Sequence, residues 1–159
     1  METENPNPIV FAVSSLHRNS SFDWVDKIID DFTIAEIFDH IRGINDPEHP
    51  LSLEQLNVVS PHHIYLEPNS LIVDYTPTIP HCSMATLIGL CIKVKLNYSL
   101  PKRFRITVRI RKDTHQSELA INKQLSDKDR ITAAMENDHL AHVVKQCILG
   151  PPRPGIAIF

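Results

Sequence analysis

YTPTIPHCSMATLIGLCIKVKL, Tyr75 to Leu96, decides the architecture, because its second half reads two ways. Leu87, Ile88, Leu90, Cys91, Ile92, Val94 and Leu96 form an apolar run that fits a buried helix, whereas Ile92 to Leu96 alternates like a strand. The length of the run favours a helix from about Ser83 to Leu96, with Lys93 and Lys95 in its last turn. The first half is of another kind. Pro77 and Pro80 fix their own φ angles and hold Thr76 and Ile79 extended, so the loop is stiff. It leads to His81 and Cys82 at the mouth of the helix.

After the Pro101 break, Arg103 to Arg111 reads as a strand. Phe104, Ile106, Val108 and Ile110 point one way, and Arg103, Arg105, Thr107, Arg109 and Arg111 the other. Ser117 to Leu149 is helical and punctuated twice: Ser126 with Asp129 has capping-box spacing, and Asn137 can cap a last helix carrying Leu140, Val143, Val144, Cys147 and Ile148.

On the other side of the loop, Ser70 to Tyr75 and Asn57 to Glu67 read as two strands joined by the turn Glu67-Pro68-Asn69-Ser70. Ser52 to Leu56 suggests one helical turn, and NDPEHP, Asn45 to Pro50, a break in the chain. Thr33 with Glu36 makes a capping box for a helix whose stripe is Ile34, Ile37, Phe38 and Ile41, closed at Gly43. The order helix, two strands, helix, strand, helices predicts an α+β fold: one compact domain over residues 31–149, with a small three-stranded sheet covered by helices. Residues 1–30 read as a weakly ordered extension and 150–159 as a proline-rich tail. No internal repeat is found.

The 159 residues are 42% apolar, enough for one real core, and carry a net charge of −3. No overall basic field therefore draws the chain to nucleic acid or membrane. No apolar stretch is long enough to cross a bilayer, and the N-terminus lacks the pattern of a secretory signal. Three cysteines without framework spacing point to a reducing, cytoplasmic setting with free thiols. The charge is unevenly laid out. Residues 1–54 hold eleven of the nineteen acids, while residues 76–112 hold none. The arginines of the last strand, Arg103, Arg105, Arg109 and Arg111, are therefore candidates for docking an acidic partner, against the plainer reading of a solvated face.

A thiol at the amino end of a helix is shifted toward thiolate by unpaired N–H groups and the dipole, which makes Cys82 a candidate to engage a metal or another sulfur. The plainer reading is a small buried hydrophobe at a helix start. Cys91 and Cys147 lie inside apolar stripes and read as core. Nine residues separate Cys91 from Cys82, which puts the two on opposite helix faces. Asp46 and Glu48, on a constrained turn, are the carboxylates best placed to accompany Cys82; a solvated turn is the alternative. The pairs His62-His63 and His139/His142 read as surface residues. No C-x-x-C, H-E-x-x-H, G-x-S-x-G, G-x-G-x-x-G or P-loop pattern occurs, and the phosphatase and peroxidatic cysteine templates fail at Ile88 and Ile79. One presented cysteine with an incomplete ligand set suits transient metal or sulfur handling better than turnover of a small substrate.

INDPEHPLSLEQLNVV (44–59), YTPTIPHCSMATLIGLCIKVKL (75–96) and INKQLSDKDRITAAMEN (121–137) closely resemble the eukaryotic cytosolic iron–sulfur assembly targeting-factor family, relatives of PaaD-like maturation domains. DPEHPL and IPHCSMAT look like its general-client branch. The resemblance covers about residues 33–149. It implies a non-enzymatic subunit that delivers iron–sulfur clusters to cytosolic and nuclear apoproteins, working with a WD-repeat β-propeller subunit and a large helical-repeat adaptor. It further implies that Cys82 is the reactive cysteine and that Asp46, Glu48, Thr76 and Thr78 border a small pocket beside His81. The cluster would be transient, with no stably bound cofactor. Two departures stand out. Asp113 precedes Thr114-His115 where family members often have Gly, which predicts another turn conformation, and Asp129 replaces the usual Glu of a D-K-E-R segment.

Two other functions stay open on the residues alone. One is a pure adaptor in which Cys82 is structural; the other is a thiol redox protein. The hinge-like segment Asn97 to Lys102 also permits a homodimer or domain swap.

Overall fold

The computed structural model of the chain describes residues 5, 7–12, 32–81 and 84–149. Helix α1 spans Ile34–Arg42, and its capping box forms as expected: Thr33 Oγ1 accepts from Glu36 N and Thr33 N donates to the Glu36 carboxylate. Ile37, Phe38 and Ile41 face the core, and full burial of each is worth about 1.5–3 kcal/mol. Ser52 and Gln55 cap each other's backbone at 3.2 and 3.0 Å in the turn that follows, though that segment stays a turn and not a helix.

Strand β1 is Ile64–Glu67 and β2 is Ser70–Tyr75. The expected long first strand is wrong in its first half. Ser60 Oγ accepts from His62 N and Pro61 opens a one-turn 3-10 helix over Pro61–His63, so His62 and His63 lie outside the ladder. A proline lacks the N–H a strand needs and favours a helical start instead. Glu67 pairs with Ser70, which leaves Pro68-Asn69 as the hairpin loop predicted from the sequence.

Helix α2, Ala85–Ser99, settles the Tyr75–Leu96 question in favour of a helix. It begins two residues later than Ser83 and runs three beyond Leu96, so Lys93 falls in its middle and not in its last turn. Leu100 leaves the helix because Pro101 follows and excludes the helical conformation before it. The helix is apolar nearly all round, with Ile88, Cys91, Ile92 and Leu96 almost fully buried, as befits the central helix of a core.

Strand β3, Arg105–Ile110, returns parallel to β2, with Leu71 opposite Ile106 and Tyr75 opposite Ile110. The sheet order β1-β2-β3 puts β2 in the middle. Leu71, Val73, Tyr75, Val108 and Ile110 face the helices, while Tyr65, Arg105 and Arg109 are exposed on the other side. Helices α3 (Glu118–Ser126), α4 (Lys128–Glu136) and α5 (Asp138–Leu149) complete the described fold. Asn137 caps α5 as expected, its Oδ1 accepting from His139 N and Leu140 N. The Ser126/Asp129 box does not form. Asp127 takes the cap of α4, accepting from Asp129 N and Arg130 N, and Ser126 Oγ instead donates back to Lys123 O. An aspartate one residue further on offers a charged acceptor that a serine cannot match.

The architecture is the α+β single domain anticipated, a three-stranded sheet covered by helices. No described helix is long and apolar enough to cross a membrane. Phe11 N donates to Gln55 O at 2.6 Å and His49 Nε2 meets Asn5 O, so Asn5 and Phe11 lie against the 49–55 turn.

Candidate functional site

Cys82 and Ser83 lie outside the described residues, and the residues on either side of them are tied into the fold by hydrogen bonds. The Tyr75 hydroxyl donates to Ala85 O at 2.7 Å, tying the end of β2 to the first turn of α2. Thr76 N donates to Val58 O, and Pro80 O accepts from Gln116 N, both at 2.9 Å. The loop is therefore braced from the β1 side and from the segment before α3. Met84 precedes α2 in a helical conformation and makes no side-chain cap. Helix α2 thus begins at Ala85, three positions after Cys82 in the sequence.

The pocket residues expected to join Cys82 are distributed along this frame. Thr76 and Thr78 are half-buried and His81 is exposed, all three on the loop. Asp46 is buried and closes its own turn: its N–H donates to Leu51 O, and its Oδ1 accepts from Glu48 N at 2.7 Å. Its Oδ2 lies 3.7 Å from His49 Nδ1, a buried nitrogen with no hydrogen-bond partner among the described residues. Glu48 is half-buried. The carboxylate of Asp46 also acts electrostatically on both Cys91 and Cys147.

Those two cysteines are core residues, as their apolar surroundings predicted, but they also meet. The hydrogen bond shared with Cys147, and then burial, push the Cys91 thiol far up, so it stays protonated. Cys91 comes from α2 and Cys147 from α5; nothing in the spacing of the two residues announces their contact.

Sequence reasoning missed one neighbourhood altogether. Pro80, two residues before Cys82 in the sequence, shares a cavity of about 680 Å³ with Asp113, His115 and Glu118. His115 Nδ1 accepts from Ser117 N, and the Glu118 carboxylate accepts from Asp113 N, each at 2.9 Å. Asp113 has φ 63°, the left-handed conformation that suits glycine. The turn thus adopts a conformation that glycine reaches without strain. Among the described residues, no group of three or more His, Cys, Asp or Glu side chains gathers to hold a metal.

The four docking arginines do not act alike. All are exposed. Arg109 is engaged by Asp74, its Nε at 2.8 Å from Oδ1 and its second nitrogen at 3.0 Å from Oδ2. Arg103 lies over the Phe104 ring at 5.3 Å, with the ring of Phe32 edge-on to Phe104 behind it.

A small sheet and helices around a braced, cysteine-bearing loop define the class. Residues 34–110 match the model of a family described as iron-sulfur cluster assembly protein, and the chain belongs to that family. It is 54% identical over 149 residues to MIP18 family protein galla-2 of Drosophila melanogaster, covering 92% of this chain and 96% of the relative. It is also 54% identical over 147 residues to cytosolic iron-sulfur assembly component 2B of Mus musculus, covering 91% and 90%. The Dictyostelium discoideum protein of the same name is 43% identical over 159 residues, covering 92% and 98%. The resemblance read from the three motifs is borne out.

Proposed function

We propose that this chain is a subunit of cytosolic iron–sulfur assembly that delivers clusters to cytosolic and nuclear apoproteins, with Cys82 supplying a thiolate ligand to the incoming cluster. Relatives named as cytosolic iron-sulfur assembly components support the assembly role and the cytosolic setting. The observation that carries the site is the double brace on the Cys82 loop, from Tyr75 to Ala85 and from Gln116 to Pro80. The two braces hold the residues that flank Cys82 on either side. Thiolate is a soft ligand matched to iron–sulfur chemistry. The remaining ligands come from a second protein, so the cargo is never fully enclosed and can leave. Asp46, Glu48, Thr76, Thr78 and His81 would shape the approach to the thiolate. A WD-repeat propeller, a helical-repeat adaptor and the client apoproteins are the partners of this reading.

Cells carrying only the Cys82→Ala variant test it. The variant is expected to fold and bind its partners yet to leave clients without clusters. Normal client maturation in those cells would leave the chain as an adaptor with a structural cysteine.

A further inference from the structure

Between the second half of α2, the start of β3 and α4 lies a cavity of about 1040 Å³. Lys93, Lys102, Arg103, Arg105 and Lys128 line it, and no lining residue is a carboxylate. Lys93 is only 9% exposed. Its ammonium donates to Ile106 O at 2.7 Å, and burial together with Lys128 pushes its pKa down. Among the described residues none of the five cations has an acidic partner. Lys93 is the buried charge of the five, while Lys102, Arg103, Arg105 and Lys128 are exposed and face no carboxylate across the cavity.

Arg109 provides an internal contrast. It shares strand β3 with Arg105 and is likewise exposed, but Asp74 holds it bidentately. The sheet therefore neutralises one arginine and leaves the pocket's cations open. A single small anion would engage only part of a cavity whose five charges come from two helices, a loop and a strand. A chain segment with several carboxylates reaches them all.

We infer that this pocket is the docking seat for an acidic segment of a partner protein, whose carboxylates pair with Lys93, Arg103, Arg105 and Lys128. The inference deepens the reading above, in which the chain works among partners, but it does not involve Cys82.

The test measures fluorescence anisotropy of a labelled octaglutamate peptide with the full chain. Binding is expected at low salt and should weaken as salt screens the charges. The Arg103→Glu/Arg105→Glu double variant and Lys128→Glu should each weaken it by about tenfold or more, and Arg109→Glu by about twofold at most. Lys93→Met should weaken it too, with thermal unfolding to confirm that the variant folds. An equal loss for Arg109→Glu would mean general charge attraction and overturn the assignment. So would tighter binding of pyrophosphate than of the peptide, which would make the pocket a small-anion site. Asp30 and Asp31 precede α1 in the sequence, and peptide binding that appears only in an Asp30→Asn/Asp31→Asn chain would identify the chain's own acids as the occupant, again against the proposal. Cys82→Ala should leave peptide binding intact, so the two readings fail separately.

Discussion

The hydroxyl of Tyr75 donates to the carbonyl of Ala85, and the same ring fills the space that any side chain at residue 89 would need. A Cβ on Gly89 would stand 2.6 Å from the Tyr75 hydroxyl oxygen and 2.5 Å from Leu125 Cδ1. The glycine is there for close approach, and the approach is what lets the tyrosine reach over to the start of α2.

Gly89→Ala is therefore expected to destabilise the fold by about 1–3 kcal/mol, through overpacking of an almost fully buried site. Tyr75→Phe keeps the ring but removes the bond, and should cost about 1 kcal/mol. Urea unfolding of both variants checks the order: the glycine change should be the larger, and the tyrosine change should also speed proteolysis within residues 76–84.

Arg42 and Glu54 form a two-pronged pair at 2.9 and 2.9 Å, with the Glu54 side chain 8% exposed. Removing the arginine alone takes both of these charge-assisted bonds from a buried carboxylate. Arg42→Ala should cost on the order of 3 kcal/mol, and the double change Arg42→Met/Glu54→Leu should recover most of it. A double-mutant cycle by denaturant unfolding measures the coupling.

His63 is held below its ordinary value near 6.5, first by burial and then by the charge of Arg111. A histidine depressed in the folded state binds its proton more readily when unfolded. Stability therefore rises with pH through this window and is lost as pH falls through about 6.5 toward the lower folded value. The wild type should lose more stability between pH 7 and pH 5 than a His63→Gln variant, measured by urea midpoints at both pH values.

Asp113 adopts φ 63° although it carries a side chain. Asp113→Gly removes that strain and should be neutral or stabilising by up to about 1 kcal/mol, whereas Asp113→Val should destabilise by a similar amount or more. Melting temperatures of the two variants separate the conformational effect from the loss of the carboxylate.

Local signals were legible where one residue type decides the outcome. The Thr33-x-x-Glu36 box, the Pro68-Asn69 loop and the Asn137 cap all stand where the residues alone put them. Errors arose where neighbours compete for one role, as when Asp127 displaced Ser126 and Ser60-Pro61 cut short the first strand. Pairings between distant residues could not be read at all. Arg42 and Glu54 are separated by 12 positions and Asp74 and Arg109 by 35, and only tertiary packing brings them together. The same holds for Lys93, which belongs to a charged cavity and not to a solvated helix end, and for Asp113, His115 and Glu118 beside Pro80. The cysteine itself was singled out from its prolines and its place before a helix, and the family resemblance pointed to the same residue.

Anaerobic reconstitution of the purified chain together with its partners, followed by absorption and Mössbauer spectra, bears most directly on the role of Cys82. Wild type should take up iron in the spectroscopic signature of a cluster and pass it to an added apoprotein, and the Cys82→Ala complex should assemble but do neither. Equal uptake and transfer by the two would contradict the account.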